Sequence, residues 1–175
     1  MGAATERGHT GVRRVVCDTG PLLHLGEAQA LELLARAGEV SMPLAVDLEM
    51  LVHQQDWHNQ RPAWIVVQPL ELPYHTAATQ WQHAGLLHSG EASAVALARQ
   101  LHADWFLTDD TAARVFAQSL GLEVHGSLGI ILWAAAMGHL QRAEAERALD
   151  RLAQSSLWVS ARVLAAAKTA LEQLY

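Results

Sequence analysis

Short apolar runs alternate with longer amphipathic segments along most of the chain, and this pattern predicts a repeating order of strand and helix. The short runs are rich in β-branched or aromatic residues and are bounded by Gly, Pro or Asp, as strands usually are. The predicted strands are residues 13–17, 39–42, 64–67, 105–108 and 122–125.

The segments between these runs have the three-and-four spacing of amphipathic helices. One predicted helix follows the turn Asp18-Thr19-Gly20-Pro21, where Pro suits a first helical turn, and the last three follow one another without an intervening strand. The polar composition of residues 53–62, which include Trp57, predicts a loop, and its length suggests a flexible edge of a functional site. The other predicted helices are residues 28–37, 44–52, 76–87, 89–101, 112–120, 128–137, 142–154 and 160–174, with 157–159 extended.

Alternating strands and helices predict parallel strands joined by right-handed crossovers, with helices on both faces of the sheet. The expected fold class is therefore α/β, a three-layer α/β/α sandwich with a mostly parallel central sheet and a C-terminal helical extension. We expect a flexible tail over residues 1–11, an α/β domain over 12–138, and a helical extension over 139–175 packed on the same domain.

Composition restricts the class of protein. A length of 175 residues suits one domain, and 51% hydrophobic with 17% charged residues excludes a disordered chain. The longest apolar run, 128–137, is about half a membrane span, and the start of the chain lacks the apolar core of a signal peptide, so no membrane partner is expected. The single cysteine, Cys17, forms no internal disulfide and is expected to pack in the core. Cytoplasm is the expected compartment.

Acidic residues stand where two predicted strands end. Asp18 follows the first strand, and Asp109 and Asp110 close the strand that begins at Trp105. Parallel strands in such sheets end at the same edge, where ligands bind, so these carboxylates should lie together. Glu91 is in the first turn of its helix, at the head of a core-facing stripe.

Each acid alone has an ordinary structural explanation. Glu91 suits a helix N-terminus, Glu49 suits a solvated helix face, and Asp109 or Asp110 could cap the following helix. Together, however, converging carboxylates repel one another and raise one another's pKa unless cations lie between them. Oxygen ligands select hard ions such as Mg²⁺ or Mn²⁺, and the scattered histidines lack the spacing of a zinc site. A formal net charge of −6 discourages electrostatic coating of nucleic acid but allows a nuclease.

Four segments in this order resemble the PIN-domain family of metal-dependent nucleases, whose bacterial members include VapC-like toxins. They span Val15 to about Met137 and are VVCDTGPLLHL, MPLAVDLEML, SGEASAVALARQLHADWFLTDD and LGLEVHGSLGIIL. The GEA helix, followed by a strand ending in two aspartates, is similar to a branch of predicted nucleic-acid-binding PIN proteins. Two features depart from the pattern: Gly20 stands where Ser or Thr is frequent, and the helices after His139 extend beyond the minimal fold.

The resemblance implies a catalytic and metal-binding quartet of Asp18, Glu49, Glu91 and Asp110, with Asp109 as neighbour or substitute. It implies a Mg²⁺- or Mn²⁺-dependent ribonuclease that cleaves single-stranded RNA, with a cognate antitoxin if the chain is a toxin, and a homodimer is a further expectation. In-line attack by an activated water would break the phosphodiester. Candidates for contact with the nucleic acid are Arg13, Arg14, Arg99, Arg114, Thr19 and Thr108. Trp57 is a candidate for base stacking.

Two alternatives remain open at this stage. An aspartyl-phosphate protein also places Asp after an apolar strand, but it normally pairs the phosphate with Lys, and the only Lys is Lys168 in the last helix. A non-catalytic module that binds nucleic acid or protein would keep the acidic pocket and work through the C-terminal helices. The neighbouring gene would separate a toxin from general RNA processing.

Overall fold

The computed structural model describes residues 11–175. A five-stranded, entirely parallel sheet forms its centre, in the order β3-β2-β1-β4-β5. The strands are β1 (Arg14–Cys17), β2 (Glu39–Pro43), β3 (Ile65–Gln68), β4 (Trp105–Leu107) and β5 (Val124–His125). The expected tail lies outside the described residues except for Gly11.

Ten helices connect and flank these strands within the described residues. They are α1 (Thr19–Glu27), α2 (Leu33–Ala37), α3 (Leu44–His53), α4 (Trp57–Gln60), α5 (Tyr74–His83), α6 (Ser89–Gln100), α7 (Thr111–Ser119), α8 (Ser127–Ala136), α9 (Arg142–Gln154) and α10 (Ala161–Glu172). The α/β fold with flanking helices predicted from the hydrophobic pattern is confirmed. Within residues 11–175 no helix combines the length and apolar character needed to cross a bilayer.

Helix α6 lies against strands β1, β2 and β4 and packs beside α5, α3 and α7. A second group is formed by α8 and the helices α1, α2 and α9 that pack against it, and α10 packs on α8 and α9. The Ala-rich stretch Ala92–Ala98 of α6 is almost entirely buried, since small side chains let the helix approach the sheet closely. Cys17 is buried in β1, as expected of a core residue, and burial raises the pKa of its thiol.

The prediction of a helix over residues 28–37 is wrong for residues 28–32, since the helix found there, α2, begins at Leu33. Helix α1 ends at Glu27, and Gln29 takes a left-handed φ of 56°. The N–H of Ala30 bonds to the carbonyl of Leu25, and that of Gln29 bonds to Gly26, which together form a Schellman ending. Glycine usually marks this turn, so a Gln in its place gave no signal in the sequence.

The loop predicted over residues 53–62 is also different in the structure. It contains the short helix α4, and Trp57 is only 2% exposed. The indole Nε1 of Trp57 donates to Oδ1 of Asp47 over 2.8 Å, and Nη1 of Arg61 donates to the same oxygen over 2.7 Å. Because its ring is buried, Trp57 does not offer a face for base stacking.

Candidate active site

The candidate site lies where the order of strands along the sheet reverses. The chain crosses from β1 to β2 on one side, and β4 later pairs with the other side of β1. Open parallel sheets bind ligands at such a switch point, beyond the carboxyl ends of the strands. Asp18 follows β1 there, and its backbone N–H donates to Leu107, the last residue of β4, over 2.9 Å.

Asp18 is the most buried of the candidate carboxylates, at 4% exposed. Its Oδ1 accepts from the backbone N–H of Thr19 and its Oδ2 accepts from Oγ1 of Thr108, each over 2.8 Å. Thr108 Oγ1 also accepts from the N–H of Asp110 over 3.1 Å. The Thr108 hydroxyl therefore links the ends of β1 and β4.

Glu49 reaches the same edge from α3. Its Oε2 accepts from Thr19 Oγ1 over 2.5 Å, and its Oε1 accepts from the N–H of Gly90 over 3.0 Å. A Cβ at residue 90 would overlap this carboxylate, so only glycine leaves room for it. The glycine before Glu91 thus has a steric function at the junction of α3 and α6.

Glu91 and Asp110 both lie in or before the first turn of a helix. Oε2 of Glu91 accepts from the N–H of His88 over 2.9 Å, and Oδ1 of Asp110 accepts from the N–H of Ala113 over 2.8 Å. These are capping bonds, which confirm the ordinary structural explanation for each residue. They occupy one oxygen of each carboxylate.

Asp109 has a different environment from Asp110. Its Oδ1 accepts from the N–H of Ser127 over 2.7 Å, and its Oδ2 lies 2.6 Å from Ser127 Oγ and 2.7 Å from His24 Nδ1. Burial raises the pKa of Asp109, but the hydrogen bonds from His24 and Ser127 outweigh this and lower it below its ordinary value. Both oxygens of Asp109 are therefore engaged within the protein.

All of these carboxylates line one open cavity of about 710 Å³. The structure thus brings together Asp18, Glu49, Glu91, Asp109 and Asp110, as the sequence predicts. The remaining lining residues come chiefly from α1 and from the connection between α9 and α10. They are Thr19, Gly20, Leu23, His24, Glu27, His53, His88, Ser156 and Leu157.

The electrostatics of the cavity favour a cation. Burial raises the pKa of Asp18 to about 7; the hydrogen bonds from Thr108 and Thr19 oppose this rise, whereas the charges of Glu91 and Glu49 add to it. A carboxyl with such a pKa is only partly ionised near neutral pH. Positive charge beside it would restore the carboxylate form.

The donor chemistry fits a hard divalent ion, since the carboxylates supply only oxygen ligands. In residues 11–175, however, no three His, Cys, Asp or Glu side chains are already arranged to hold a metal ion. Both oxygens of Glu49 accept hydrogen bonds within the protein, whereas Glu91 and Asp110 each accept the capping bond described above. One oxygen of Glu91 and one of Asp110 take no part in those bonds.

The candidate arginines do not gather at this cavity. Arg13 and Arg14 lie at the start of β1, the opposite end from Asp18, where the Arg13 guanidinium stacks 3.8 Å from the Trp105 ring. Arg99 is near the end of α6, far along the helix from Glu91. Arg114 is nearer the site, because its Nη2 donates to the carbonyl of Thr108 over 3.3 Å.

Sequence reasoning missed His24, Ser127 and Gly90 as parts of the site. His24 lies on the same helix as Thr19, five residues further on, which placed it in a predicted helix without indicating a partner. Ser127 directly precedes the helix predicted over residues 128–137, and this position gave no indication of a contact with Asp109. The glycine in SGEA was the one local signal, because it precedes a predicted site residue within a helix.

A family model described as DUF3368, a PIN domain, matches residues 14–173. The chain belongs to the PIN-domain family. The matched region includes α9 and α10, and it confirms the resemblance inferred from the four segments. No curated protein matches the chain. The PIN fold is of nuclease type, and PIN domains typically depend on divalent metal and act on nucleic acids.

Proposed function

We propose that this PIN domain is a metal-dependent endoribonuclease that cleaves single-stranded RNA. Asp18, Glu49, Glu91 and Asp110 would hold Mg²⁺ or Mn²⁺, and Asp109 would support them from beside Asp110. The observation that carries the proposal is that Glu49, Glu91 and Asp110 line one open cavity together with Asp18, whose pKa burial raises to about 7. Such a group exchanges a proton for a cation near neutral pH.

A bound divalent ion would supply Lewis acidity, lowering the pKa of a water and stabilising charge on the phosphodiester and its leaving oxygen. The chain's own residues orient the acids for this task. Thr108 fixes Asp18 relative to Asp110, while Thr19 and Gly90 fix Glu49. Single-stranded RNA is favoured by the resemblance to the PIN-domain family and by the open cavity, which an unpaired strand can reach with its phosphates.

The aspartyl-phosphate alternative has no support from the cavity. Lys168 Nζ pairs with Oδ1 of Asp150 over 2.7 Å between α10 and α9. No lysine lines the cavity in the described part of the chain, so none is placed to pair with a phosphate on Asp18. The non-catalytic alternative, a module that binds nucleic acid or protein, is decided by the cleavage experiment.

That experiment incubates the purified protein with a panel of single-stranded and duplex RNAs in Mg²⁺, Mn²⁺ or EDTA. We expect cleavage of single-stranded RNA with metal and none with EDTA. Asp18→Asn should lose at least about 100-fold in rate, since a ligand of a catalytic ion is removed. Glu146→Gln, an acid on α9 paired with Arg142, is the control and should cleave as the wild type does.

A wild type that cleaves none of these RNAs, or an Asp18→Asn variant with full activity, would overturn the proposal. Calorimetry with Mn²⁺ then separates the two remaining cases. Metal binding without cleavage would indicate a non-catalytic module, and no binding would remove the metal site itself. If an antitoxin is encoded beside this chain, we expect it to suppress the cleavage; a homodimer would be detected by light scattering.

A further inference from the structure

One tryptophan differs from the other five in its surroundings. Trp57 and Trp105 are buried, Trp64 is partly buried against the core, and the rings of Trp81 and Trp133 pack edge-on against aromatic neighbours. Trp158, in contrast, is 84% exposed. An isolated exposed apolar residue needs no special explanation, but Trp is the largest apolar side chain and is enriched at binding surfaces.

Trp158 lies on the connection between α9 and α10, and hydrogen bonds hold this connection in position. The N–H of Ser156 donates to Oε2 of Glu27 over 2.7 Å, and Ser156 Oγ donates to the same carboxylate. The N–H of Leu157 donates to Ser155 Oγ over 3.2 Å, and Ser160 Oγ caps α10. The backbone on both sides of Trp158 is therefore fixed while its ring faces solvent.

The same connection forms part of the wall of the carboxylate cavity. Ser156, Leu157 and Glu27 line it together with Asp18 and Glu91. Leu157 packs against the core, and Trp158 is the next residue, about 3.8 Å further along the backbone. Trp158 therefore directly follows the two residues of the connection that line the cavity, Ser156 and Leu157.

Two arginines lie on either side of this ring along the chain. Arg151, on the last turns of α9, lines a neighbouring cavity with Glu27 and Ser156, and Arg162 is in the first turn of α10. Both are exposed. An aromatic ring with flanking arginines is the chemistry that binds an unpaired base and its phosphates, because every base offers a π-face for stacking.

We propose that Trp158 is a stacking platform for an unpaired base of the RNA strand whose phosphate backbone enters the carboxylate cavity. This rests on the proposed function for the choice of RNA, and it assigns a substrate-binding role to the connection between α9 and α10. It also replaces Trp57, whose ring is buried, as the aromatic contact of the site.

The test measures binding of short oligouridylate in EDTA, through quenching of tryptophan fluorescence and through anisotropy of a labelled strand. Trp158→Ala should weaken binding about 5- to 100-fold, the usual effect of removing a stacking ring. Trp158→Phe should bind the oligonucleotide nearly as tightly as the wild type does. Its fluorescence should be quenched less on binding, because the fluorescence of Trp158 is absent. In Mn²⁺, the loss in Trp158→Ala should affect KM more than kcat.

A matched control is Leu72→Ala. Leu72 is 76% exposed, and its neighbour Glu71 bonds to Gln100 at the end of α6 opposite to Glu91, roughly 14 Å along the helix. It should bind RNA as the wild type does. A sharper test replaces single nucleotides of the strand by abasic sites. At one position, removal of the base should weaken binding of the strand to the wild type. The same removal should not weaken binding to Trp158→Ala, because the ring that contacts this base is already absent.

Three outcomes would overturn the proposal that Trp158 stacks on a base. They are an unchanged RNA affinity of Trp158→Ala, a wild type that binds no oligonucleotide, and effects of Trp158→Ala and of the abasic site that simply add at every position of the strand. A wild-type dimer that becomes a monomer in Trp158→Ala with RNA affinity unchanged would make this ring a protein contact instead. Failure of the proposed function is distinguishable. RNA binding that depends on Trp158 but is not followed by cleavage would overturn only the proposed nuclease activity. Normal cleavage by Trp158→Ala would overturn only the proposed stacking role of Trp158.

Discussion

His24 Nδ1 lies 2.7 Å from Oδ2 of Asp109, although 85 positions separate the two residues in the chain. Their side chains are 14% and 8% exposed, so the pair is largely shielded from water in the wall of the cavity. Ser127 donates to the same carboxylate with both its N–H and its hydroxyl. Asp109 thereby joins helix α1, the end of β4 and the start of α8.

This arrangement predicts different consequences for neighbouring substitutions. Asp109→Asn places an amide N–H₂ opposite a Ser127 or His24 donor, which should destabilise the fold by about 1–3 kcal/mol. Asp110→Asn should leave stability nearly unchanged, because Asn caps a helix as well as Asp does, but should weaken Mn²⁺ binding. Urea unfolding and calorimetry measure the two effects. Equal stability of the two variants would contradict the assignment of Asp109 as the structural member of the pair.

The pH dependence of Asp109 follows from its lowered pKa. A carboxyl whose pKa is lower in the folded state contributes stability above its unfolded pKa of about 3.9, and this contribution is lost as the pH falls through the folded value. The difference in stability between wild type and Asp109→Asn should therefore shrink below about pH 4. A constant difference from neutral to acid pH would mean that the ionised form is not what stabilises the junction.

Gly90→Ala should displace Glu49, because the new Cβ would overlap its carboxylate. We expect the variant to fold, since Ala favours a helix, but to bind Mn²⁺ about 10-fold or more weakly. Gly129→Ala is the matched control: it is also a glycine within a helix, and a Cβ there would meet open space. Unaltered metal binding in Gly90→Ala would show that Glu49 is not a ligand or can move without loss.

Much of this site could be predicted from strand ends and helix starts. Asp18 and Asp109-Asp110 follow two runs that pair as parallel strands, and Glu91 opens a helix with a buried face. The partners of these acids could not be predicted, because they depend on packing between distant elements. Gly90 meets Glu49 only because α3 lies against α6, and His24 meets Asp109 only because β4 pairs beside β1.

The loop around Trp57 shows the same limit. Its polar sequence predicted exposure, yet Asp47 supplies a buried acceptor for both the indole and Arg61. Burial raises the pKa of Asp47, but Arg61 and Trp57 outweigh this and lower it overall. The charge of the buried Asp47 on α3 is therefore stabilised by residues of a segment whose polar sequence predicts an exposed loop.

Asp47→Ala should destabilise the protein by about 2–4 kcal/mol, because it leaves the Trp57 indole N–H and the Arg61 charge without their acceptor. Asp47→Asn should cost less, since its amide oxygen still accepts from Trp57. Asp56→Ala, which removes only exposed bonds to Asn59 and Gln60, is the control and should change stability by less than about 0.5 kcal/mol. Chemical denaturation followed by fluorescence measures all three; an Asp47→Ala variant as stable as the control would contradict the network.

Asp18→Asn should stabilise the metal-free protein at the same time as it removes function. The folded pKa of Asp18, about 7, lies above its ordinary value of 3.8, so the folded state binds more protons than the unfolded state between these values. The wild type should therefore lose stability as the pH rises from about 4 to 7, whereas the uncharged amide should not.

In EDTA at about pH 8 we expect Asp18→Asn to be more stable than the wild type by about 1–3 kcal/mol, with little difference near pH 4. Mn²⁺ should reverse the order, because a ligand that binds only the folded state stabilises the wild type in proportion to its affinity. Thermal unfolding across this pH range, with and without Mn²⁺, measures both effects. If the variant is the less stable protein at pH 8 without metal, the charge on Asp18 is already compensated within the chain, and the electrostatic reason for a cation at this site fails.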